Sequence, residues 1–325
     1  MLGSVIGRSI QNYRAGVILP QGRETMSNTK FTAAVVQASP VMFDKAACIT
    51  KAAALIAEAG RRGARLAVFP ESFIPCYPRG LSFGMHVGGA DGGGRQDYLL
   101  YHRNSVVIPR DLASLCEAAK QAGCFVSIGV TERDERTDTL YCTNVFISDK
   151  GEIVGKKRKL KPTGAERCVW GEGGRDDLFV LDTPVGRLGC LICWENYMPL
   201  ARTALYEQGI NVYIAPTADS RKEWQATVRH IAQEGRCFVL SCNQFVTRDM
   251  YPEGLCSLDK ELFDEVCPGG SCIISPTGKY LAQPVYHKEE MLLAQIDLSA
   301  VSAARLDFDP CGHYSRPDLF GLKIK

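Results

Sequence analysis

Gly186-Arg-Leu-Gly-Cys-Leu-Ile-Cys-Trp-Glu-Asn-Tyr-Met-Pro199 is the stretch on which the reading of this chain turns. Its first eight residues are mostly apolar and read as a buried strand, and the polar Trp194-Glu195-Asn196 marks where that strand leaves the core. A helix is expected near Pro199 to Gln208, then a strand at Asn211-Val-Tyr-Ile-Ala215, a helix over Arg221 to Gly235 and a strand at Cys237-Phe-Val-Leu-Ser241. Short apolar runs alternating with helical periods point to an α/β fold in which helices cover sheets.

The same punctuation extends in both directions. Phe31-Thr-Ala-Ala-Val-Val-Gln37 reads as a buried strand bounded by Ser39-Pro40, and Lys45 to Ala59 has apolar residues at helical spacing, ending at Gly60. Leu66-Ala-Val-Phe-Pro70 is a short strand stopped by its proline. Gly88, Gly89, Gly92, Gly93 and Gly94 lack the order of a phosphate-binding loop, do not open a helix and read as a flexible loop. A helix from about Asp111 to Gln121 and strands at Cys124 to Val130 and Thr143 to Ile147 follow. Cys272-Ile-Ile-Ser275, a Pro276-Thr-Gly278 turn and Met291 to Ile296 complete the sheets. Some neighbouring strands read as hairpins, which argues against purely parallel sheets. No low-complexity linker or repeat interrupts the order, so residues 31–325 are expected to form one α/β domain. Residues 1–30 carry Arg8, Arg14, Arg23 and Lys30 against Glu24, show no periodicity, and are expected to be a flexible N-terminal extension, with Met26 an alternative start.

The composition is that of an ordinary globular enzyme: 325 residues, 46% hydrophobic and 23% charged. A formal net charge of +2 supplies no field for nucleic acid or an anionic membrane, and a small neutral or zwitterionic substrate fits better. No apolar run approaches the roughly 18 residues of a membrane span. The fourteen cysteines are scattered, many in apolar runs such as Gly123-Cys124-Phe125-Val126, where a free thiol packs as a small hydrophobe. With no secretory signal and no Asn-x-Ser/Thr sequon, a cytoplasmic location with reduced thiols is expected.

Three positions stand out chemically. Cys193 lies where a buried strand meets polar sequence, the place where α/β folds set reactive groups, and it is either a core thiol or a nucleophile. Cys190 completes a C-x-x-C with it. No second such pair exists for zinc, Leu191 and Ile192 continue the strand, and the two thiols are expected on opposite faces. Glu71 follows the strand ending at Pro70 and is either a solvated loop acid or a general base with a pKa raised by burial. Gly155-Lys-Lys-Arg-Lys-Leu-Lys-Pro-Thr163 reads as a solvated basic face, although one lysine turned inward would stabilise developing negative charge. Spacing does not choose among its four lysines. Neither H-E-x-x-H nor G-x-S-x-G is present, which removes two hydrolase classes.

Taken together, several segments resemble the nitrilase branch of the carbon–nitrogen hydrolases. They are Val68-Phe-Pro-Glu71-Ser-Phe-Ile with Tyr77-Pro-Arg79-Gly80, Arg158-Lys159-Leu-Lys-Pro-Thr163, Glu166-Arg167 with Trp170-Gly171, Leu191-Ile-Cys193-Trp-Glu-Asn-Tyr-Met-Pro199, Ala215-Pro-Thr-Ala-Asp-Ser-Arg221 and Gly312-His-Tyr-Ser-Arg-Pro317. The resemblance runs from about Phe31 to Arg316 and implies a four-layer α-β-β-α sandwich. It implies a catalytic Glu71, Lys159 and Cys193, with Glu166 a second glutamate near them and Tyr77 and Trp194 binding substrate or supporting the site. Cys-Trp-Glu after the nucleophile resembles true nitrilases, whereas the family's amidases more often carry Cys-Tyr-Asp.

The implied reaction takes a nitrile to a carboxylic acid and ammonia through a thioimidate and a thioester, with no metal or organic cofactor. Aliphatic, aryl, arylacetonitrile, cyanoalanine and cyanide users share these motifs. Cys190 and Cys76 stand where small residues are usual, and Cys76 is expected near the pocket. The same three residues would serve an amidase or carbamoylase, and an inactive scaffold on this fold is the rival of another class. The chain stops soon after His313-Tyr-Ser-Arg316, whereas many relatives carry a longer tail that takes part in spiral assembly. A homodimer built by pairing sandwiches, or a larger homo-oligomer, is the expected assembly.

Overall fold

The computed structural model describes residues 29–325. Residues 1–28 of the expected N-terminal extension lie outside the described residues, and its last residue, Lys30, already belongs to the first strand.

The first half of the described chain contains β1 (Lys30–Gln37), α1 (Lys45–Arg61), β2 (Ala64–Val68), β3 (Met85–His86), β4 (Gly89–Ala90), α2 (Gly92–Arg103), α3 (Ala113–Ala122), β5 (Phe125–Arg133), β6 (Leu140–Ile147) and β7 (Ile153–Arg158). The second half contains β8 (Val180–Thr183), β9 (Gly186–Cys190), α4 (Pro199–Glu207), β10 (Val212–Pro216), α5 (Glu223–Gly235), β11 (Phe238–Cys242), β12 (Phe245–Thr247), β13 (Glu265–Ile274), β14 (Tyr280–Tyr286), β15 (Glu290–Asp297) and α6 (Ser299–Ala304). One sheet runs β15-β1-β2-β5-β6-β7, the other β12-β13-β11-β10-β9-β8 with β14 paired to β13. Each has a parallel centre, β1-β2-β5 and β9-β10-β11, flanked by antiparallel pairs. The mixed pattern agrees with the hairpins read from the sequence.

Side-chain alternation explains the layers. In β1, Phe31, Ala33 and Val35 face the other sheet while Ala34 and Val36 face helices; in β10, Val212 and Ile214 face inward while Tyr213 and Ala215 face helices. Strands buried on both faces have no polar positions to reveal their period, hence the continuous apolar runs. One core lies between the sheets, a second joins the first sheet to α1 and α3, and a third joins the other sheet to α4 and α5. The result is the four-layer α-β-β-α sandwich.

Several local expectations change. Helix α1 starts on Asp44, whose carboxylate accepts from the Ala47 N–H, and buries Cys48, Ala52, Ile56 and Ala59 along one stripe. It continues past Gly60 to Arg61, because that glycine is where α1 touches α3: a Cβ there would lie 2.8 Å from the Ala122 Cβ. The glycine-rich segment is not simply a loop. It holds the β3–β4 hairpin and opens α2 at Gly92. Tertiary anchors override its poor helix propensity: Tyr101 packs on Phe43 and Phe83, and the Asp97 carboxylate accepts from the Ser257 N–H and hydroxyl. The basic run, read as a solvated face, begins within β7, a strand hydrogen-bonded to β6.

Candidate active site

Three chain segments meet where the sheets face each other. Glu71 follows β2 on a segment laid across β5, with the Phe69 N–H donating to the Ser127 carbonyl and the Phe73 N–H to that of Gly129. A side chain at Gly129 would strike the Pro70 carbonyl and the Ser72 nitrogen, so only glycine lets this segment lie so close. Gln244 Nε2 donates to the Glu71 carbonyl at 2.7 Å and fixes it from the other sheet. Lys159 directly follows β7, its N–H bonded to the Cys142 carbonyl.

Cys193 opens a single 3₁₀ turn, Cys193–Tyr197, after β9 ends at Cys190. Its φ of 51° is left-handed, a strain of about 1–3 kcal/mol that surrounding bonds must offset. Asn196 supplies them: its Nδ2 donates to the Leu191 and Cys193 carbonyls, both at 2.8 Å, and its Oδ1 accepts from the Tyr213 hydroxyl at 2.7 Å. The early strand end also corrects the expectation for Cys190, which lies in the same inter-sheet core as Cys193 and not on the opposite face.

The basic run resolves into a strand-like alternation with a carboxylate for each cation. Lys156 and Arg158 bond Glu132, at 2.5 and 2.7 Å, while Lys157 and Lys159 turn inward and are fully buried. Lys157 Nζ donates to both oxygens of Glu195 at 2.8 Å, and Glu195 also accepts from the Leu160 and Ile192 N–H groups. Leu160 adjoins Lys159 and Ile192 adjoins Cys193. One buried carboxylate therefore ties both segments together.

Lys159 Nζ donates to Glu71 Oε1 at 2.7 Å and Glu166 Oε2 at 2.8 Å, two of its three hydrogens. Glu166 is held by Tyr77, whose hydroxyl donates to Oε1 at 2.7 Å, and by the Thr163 N–H on Oε2. Burial raises the Glu71 pKa, partly countered by Lys159. Burial also opposes charge on Lys159, but the Glu71 and Glu166 carboxylates outweigh it and hold the ammonium charged. The Cys193 thiol is pushed up to about 12, first by burial and then by the Glu71 charge, while Lys159 and a 3.2 Å hydrogen bond from Thr217 Oγ1 pull the other way. The thiol is thus protonated at rest and needs a base. Glu71 Oε2 is buried with no hydrogen-bond donor among the described residues, and the thiol stands beside this carboxylate.

Cys193, Glu166, Tyr77 and Trp194 line one cavity of about 220 Å³, together with Arg79, Thr163 and the 218–221 segment. Trp194 is 42% exposed at its edge, its Nε1 donating to Asp219 Oδ2 at 2.9 Å. The structure thus brings all six residues expected at the site into contact with one another or with the cavity. Cys76 is fully buried and absent from this lining, contrary to expectation. Its carbonyl instead accepts from Ser72 and Tyr101. Sequence reasoning missed the roles of Glu195, Lys157, Asn196, Thr217 and Gln244, polar residues whose burial no local pattern announces.

The chain matches the carbon–nitrogen hydrolase family over residues 32–306. It is 48% identical to an aliphatic nitrilase of Sinorhizobium fredii, covering 91% of this chain and 96% of that one. It is 45% identical to a bifunctional nitrilase/nitrile hydratase of Nicotiana tabacum, covering 93% and 88%. A carbon–nitrogen hydrolase structure from Helicobacter pylori is similar with a TM-score of 0.69 at 22% identity, over 90% and 97% of the two chains, a likeness of fold. The chain belongs to the carbon–nitrogen hydrolase family. Within it, the relatives place it on the nitrilase branch.

Two outcomes follow from the electrostatics. Glu195→Gln leaves Lys157 buried without its counter-charge and is expected to cost about 3–5 kcal/mol in denaturant unfolding; a loss under about 1 kcal/mol would show that the pair is not the tie described. Glu71→Gln removes the anion that raises the thiol, so Cys193 should titrate below its value in the parent. The rate of thiol alkylation against pH, with Cys193→Ala as the blank, reads this shift, and a higher titration point contradicts it.

Proposed function

We propose that this chain is a nitrilase, hydrolysing a nitrile to a carboxylic acid and ammonia, with Glu71, Lys159 and Cys193 as its catalytic residues. The observation that carries the assignment of residues is their joint geometry: a protonated thiol on the cavity, a buried carboxylate with a free oxygen beside it, and a fixed ammonium with one hydrogen unused. The nitrilase relatives at 45–48% identity support the nitrile over the amide as substrate.

Glu71 takes the thiol proton as the Cys193 sulfur bonds to the nitrile carbon, and that proton passes to the nitrile nitrogen to give a thioimidate. A water adds to the thioimidate carbon, its proton shuttled through Glu71, and the unused Lys159 hydrogen stabilises the charge on the tetrahedral species. Ammonia leaves, a thioester remains, and a second water releases the acid and restores the thiol. If the tetrahedral species expels the sulfur instead of ammonia, the product is an amide, the second activity in the printed name of the tobacco relative. Glu166 acts through Lys159, and its bonds to Tyr77 and Thr163 hold the ammonium in place.

In this reading the catalytic unit is residues 31–325 and assembles as a homodimer or larger homo-oligomer, whose mass sedimentation of the purified chain measures; a monomer at working concentration would refute it. None of the fourteen cysteines forms a disulfide, which fits a reducing cytoplasm. Among the described residues, no helix is long and apolar enough to cross a membrane.

Ammonia release from a panel of nitriles and the matching amides tests the reaction. Turnover of nitriles is expected, and hydrolysis of amides alone would sink the proposal. Cys193→Ala should abolish turnover while leaving the melting temperature within a few degrees of the parent; residual activity above about a thousandth would reject Cys193 as nucleophile.

A further inference from the structure

One polar side chain touches the nucleophile without a task in the reaction above. Thr217 directly follows β10, is fully buried, and donates its N–H to the Cys242 carbonyl at 2.9 Å. Its hydroxyl is oriented from both sides. Oγ1 accepts from the Asp219 N–H at 2.9 Å, and Asn243 Nδ2 in turn holds the Asp219 carbonyl at 3.0 Å. The hydroxyl proton is left for Cys193 Sγ, 3.2 Å away, the acceptor it has among the described residues. Glu71 and Lys159 follow strands of one sheet, whereas this donor follows a strand of the other. The sulfur therefore has a base supplied by one sheet and a hydrogen-bond donor supplied by the other.

A hydrogen bond to a neutral sulfur is weak, and one to a thiolate is strengthened by the charge. The donor therefore matters most when electrons collect on sulfur, as they do when the carbon–sulfur bond breaks. In the tetrahedral species one carbon holds a hydroxyl, an amino group and the Cys193 sulfur, and two exits compete. In the first, the carbon–nitrogen bond breaks, the hydroxyl proton passes through Glu71 to nitrogen, and ammonia leaves a thioester behind. In the second, the carbon–sulfur bond breaks with its electron pair going to sulfur, the amide departs, and the same proton passes through Glu71 to the thiolate. A hydroxyl aimed at sulfur favours the second exit and does nothing for the first.

We propose that Thr217 sets the division of products between amide and acid, through the hydrogen bond from its hydroxyl to Cys193 Sγ as the carbon–sulfur bond breaks. The inference rests on the nitrilase reading above and assigns a product-determining residue within it. Both exits leave one shared intermediate, so the amide-to-acid ratio is independent of substrate binding, thiol deprotonation and every other earlier step. A variant that merely loosens the site lowers turnover and leaves this ratio where it was.

The test gives the full chain butyronitrile, 3-phenylpropionitrile and methoxyacetonitrile and counts amide, acid and ammonia separately. The parent is expected to release amide beside acid from at least one of them. Thr217→Val, which keeps the shape and removes the donor, should lower the amide-to-acid ratio by about three- to thirtyfold. Thr217→Ser, which keeps the donor, should hold the ratio within about twofold of the parent whatever its effect on turnover.

An unchanged or higher ratio in Thr217→Val would overturn the proposal, as would an equal fall in Thr217→Ser or a parent that forms no amide from any of the three. If Thr217→Val does not fold, Thr217→Ala is judged by the same ratio. A chain that hydrolyses the matching amides and none of the nitriles would reject the nitrilase reading and still leave Thr217 testable. Sulfur must also depart when a thioester is hydrolysed, so the steady rate after the first turnover of a p-nitrophenyl ester then reads the same hydrogen bond. It should fall about threefold or more in Thr217→Val and be kept in Thr217→Ser, and an unchanged rate in Thr217→Val would refute the role.

Discussion

An ammonium with no solvent exposure, held between two carboxylates, is the constraint around which this site is built. Lys159 cannot be desolvated without Glu71 and Glu166, and Glu71, fully buried, is not tolerable at that depth without the lysine. The cluster excludes alternatives by geometry as much as by energy. Tyr77 on Oε1 and the Thr163 N–H on Oε2 fix the orientation of Glu166, so the ammonium has one place to sit and one hydrogen to spare. A charge positioned in this way needs no reorganisation when negative charge appears on the substrate, which is where such groups contribute most.

The second buried lysine shows what positions the first. Lys157 and Lys159 turn inward from one strand edge, but their acids come from different directions: Glu195 from the turn that carries Cys193, Glu71 from the segment after β2. The N–H beside Cys193, that of Ile192, and the N–H beside Lys159, that of Leu160, both donate to Glu195 as a common anchor. A loosened Glu195 therefore separates the Cys193 thiol from the Lys159 ammonium, whereas a loosened Glu166 frees only the ammonium. Removing a buried ion pair in favour of apolar side chains is often harmless to stability, but no apolar pair offers acceptors to the Ile192 and Leu160 N–H groups.

The layered fold was legible because its central strands announce burial on both faces, as in Val212-Tyr213-Ile214-Ala215. The motifs carrying Glu71, Lys159 and Cys193 were legible only jointly, through resemblance to a family. What stayed hidden has a common cause. β7 ends in Lys156-Lys157-Arg158, so a hydrophobic pattern assigns it to solvent, although each cation finds a buried or half-buried acid from elsewhere in the chain. The helix at Gly92 is hidden because its stability comes from Tyr101 and Asp97 gripping distant partners and not from its own propensities. The left-handed turn at Cys193 is hidden because no glycine marks it; Asn196, three residues on, holds it in place.

Fourteen thiols in one chain raise the question of what sets Cys193 apart from the others, and the answer is not acidity. Burial pushes Cys48, Cys124 and Cys237 up to about 12, the same level as Cys193. Cys142 even shares the same carboxylate, its thiol donating to Glu71 Oε1 at 3.5 Å. It does not border the cavity, so no substrate carbon reaches it. Cys193 alone among these combines an ionisable neighbour able to take its proton, a hydroxyl from Thr217 ready to solvate the emerging thiolate, and open space on the side where the new bond forms. A thiol kept protonated until substrate arrives is also protected from oxidation and alkylation at rest, since the thiolate is the reactive form. Selectivity among the cysteines is thus a property of what the fold places beside the sulfur, and a resting pKa taken alone would have chosen none of them.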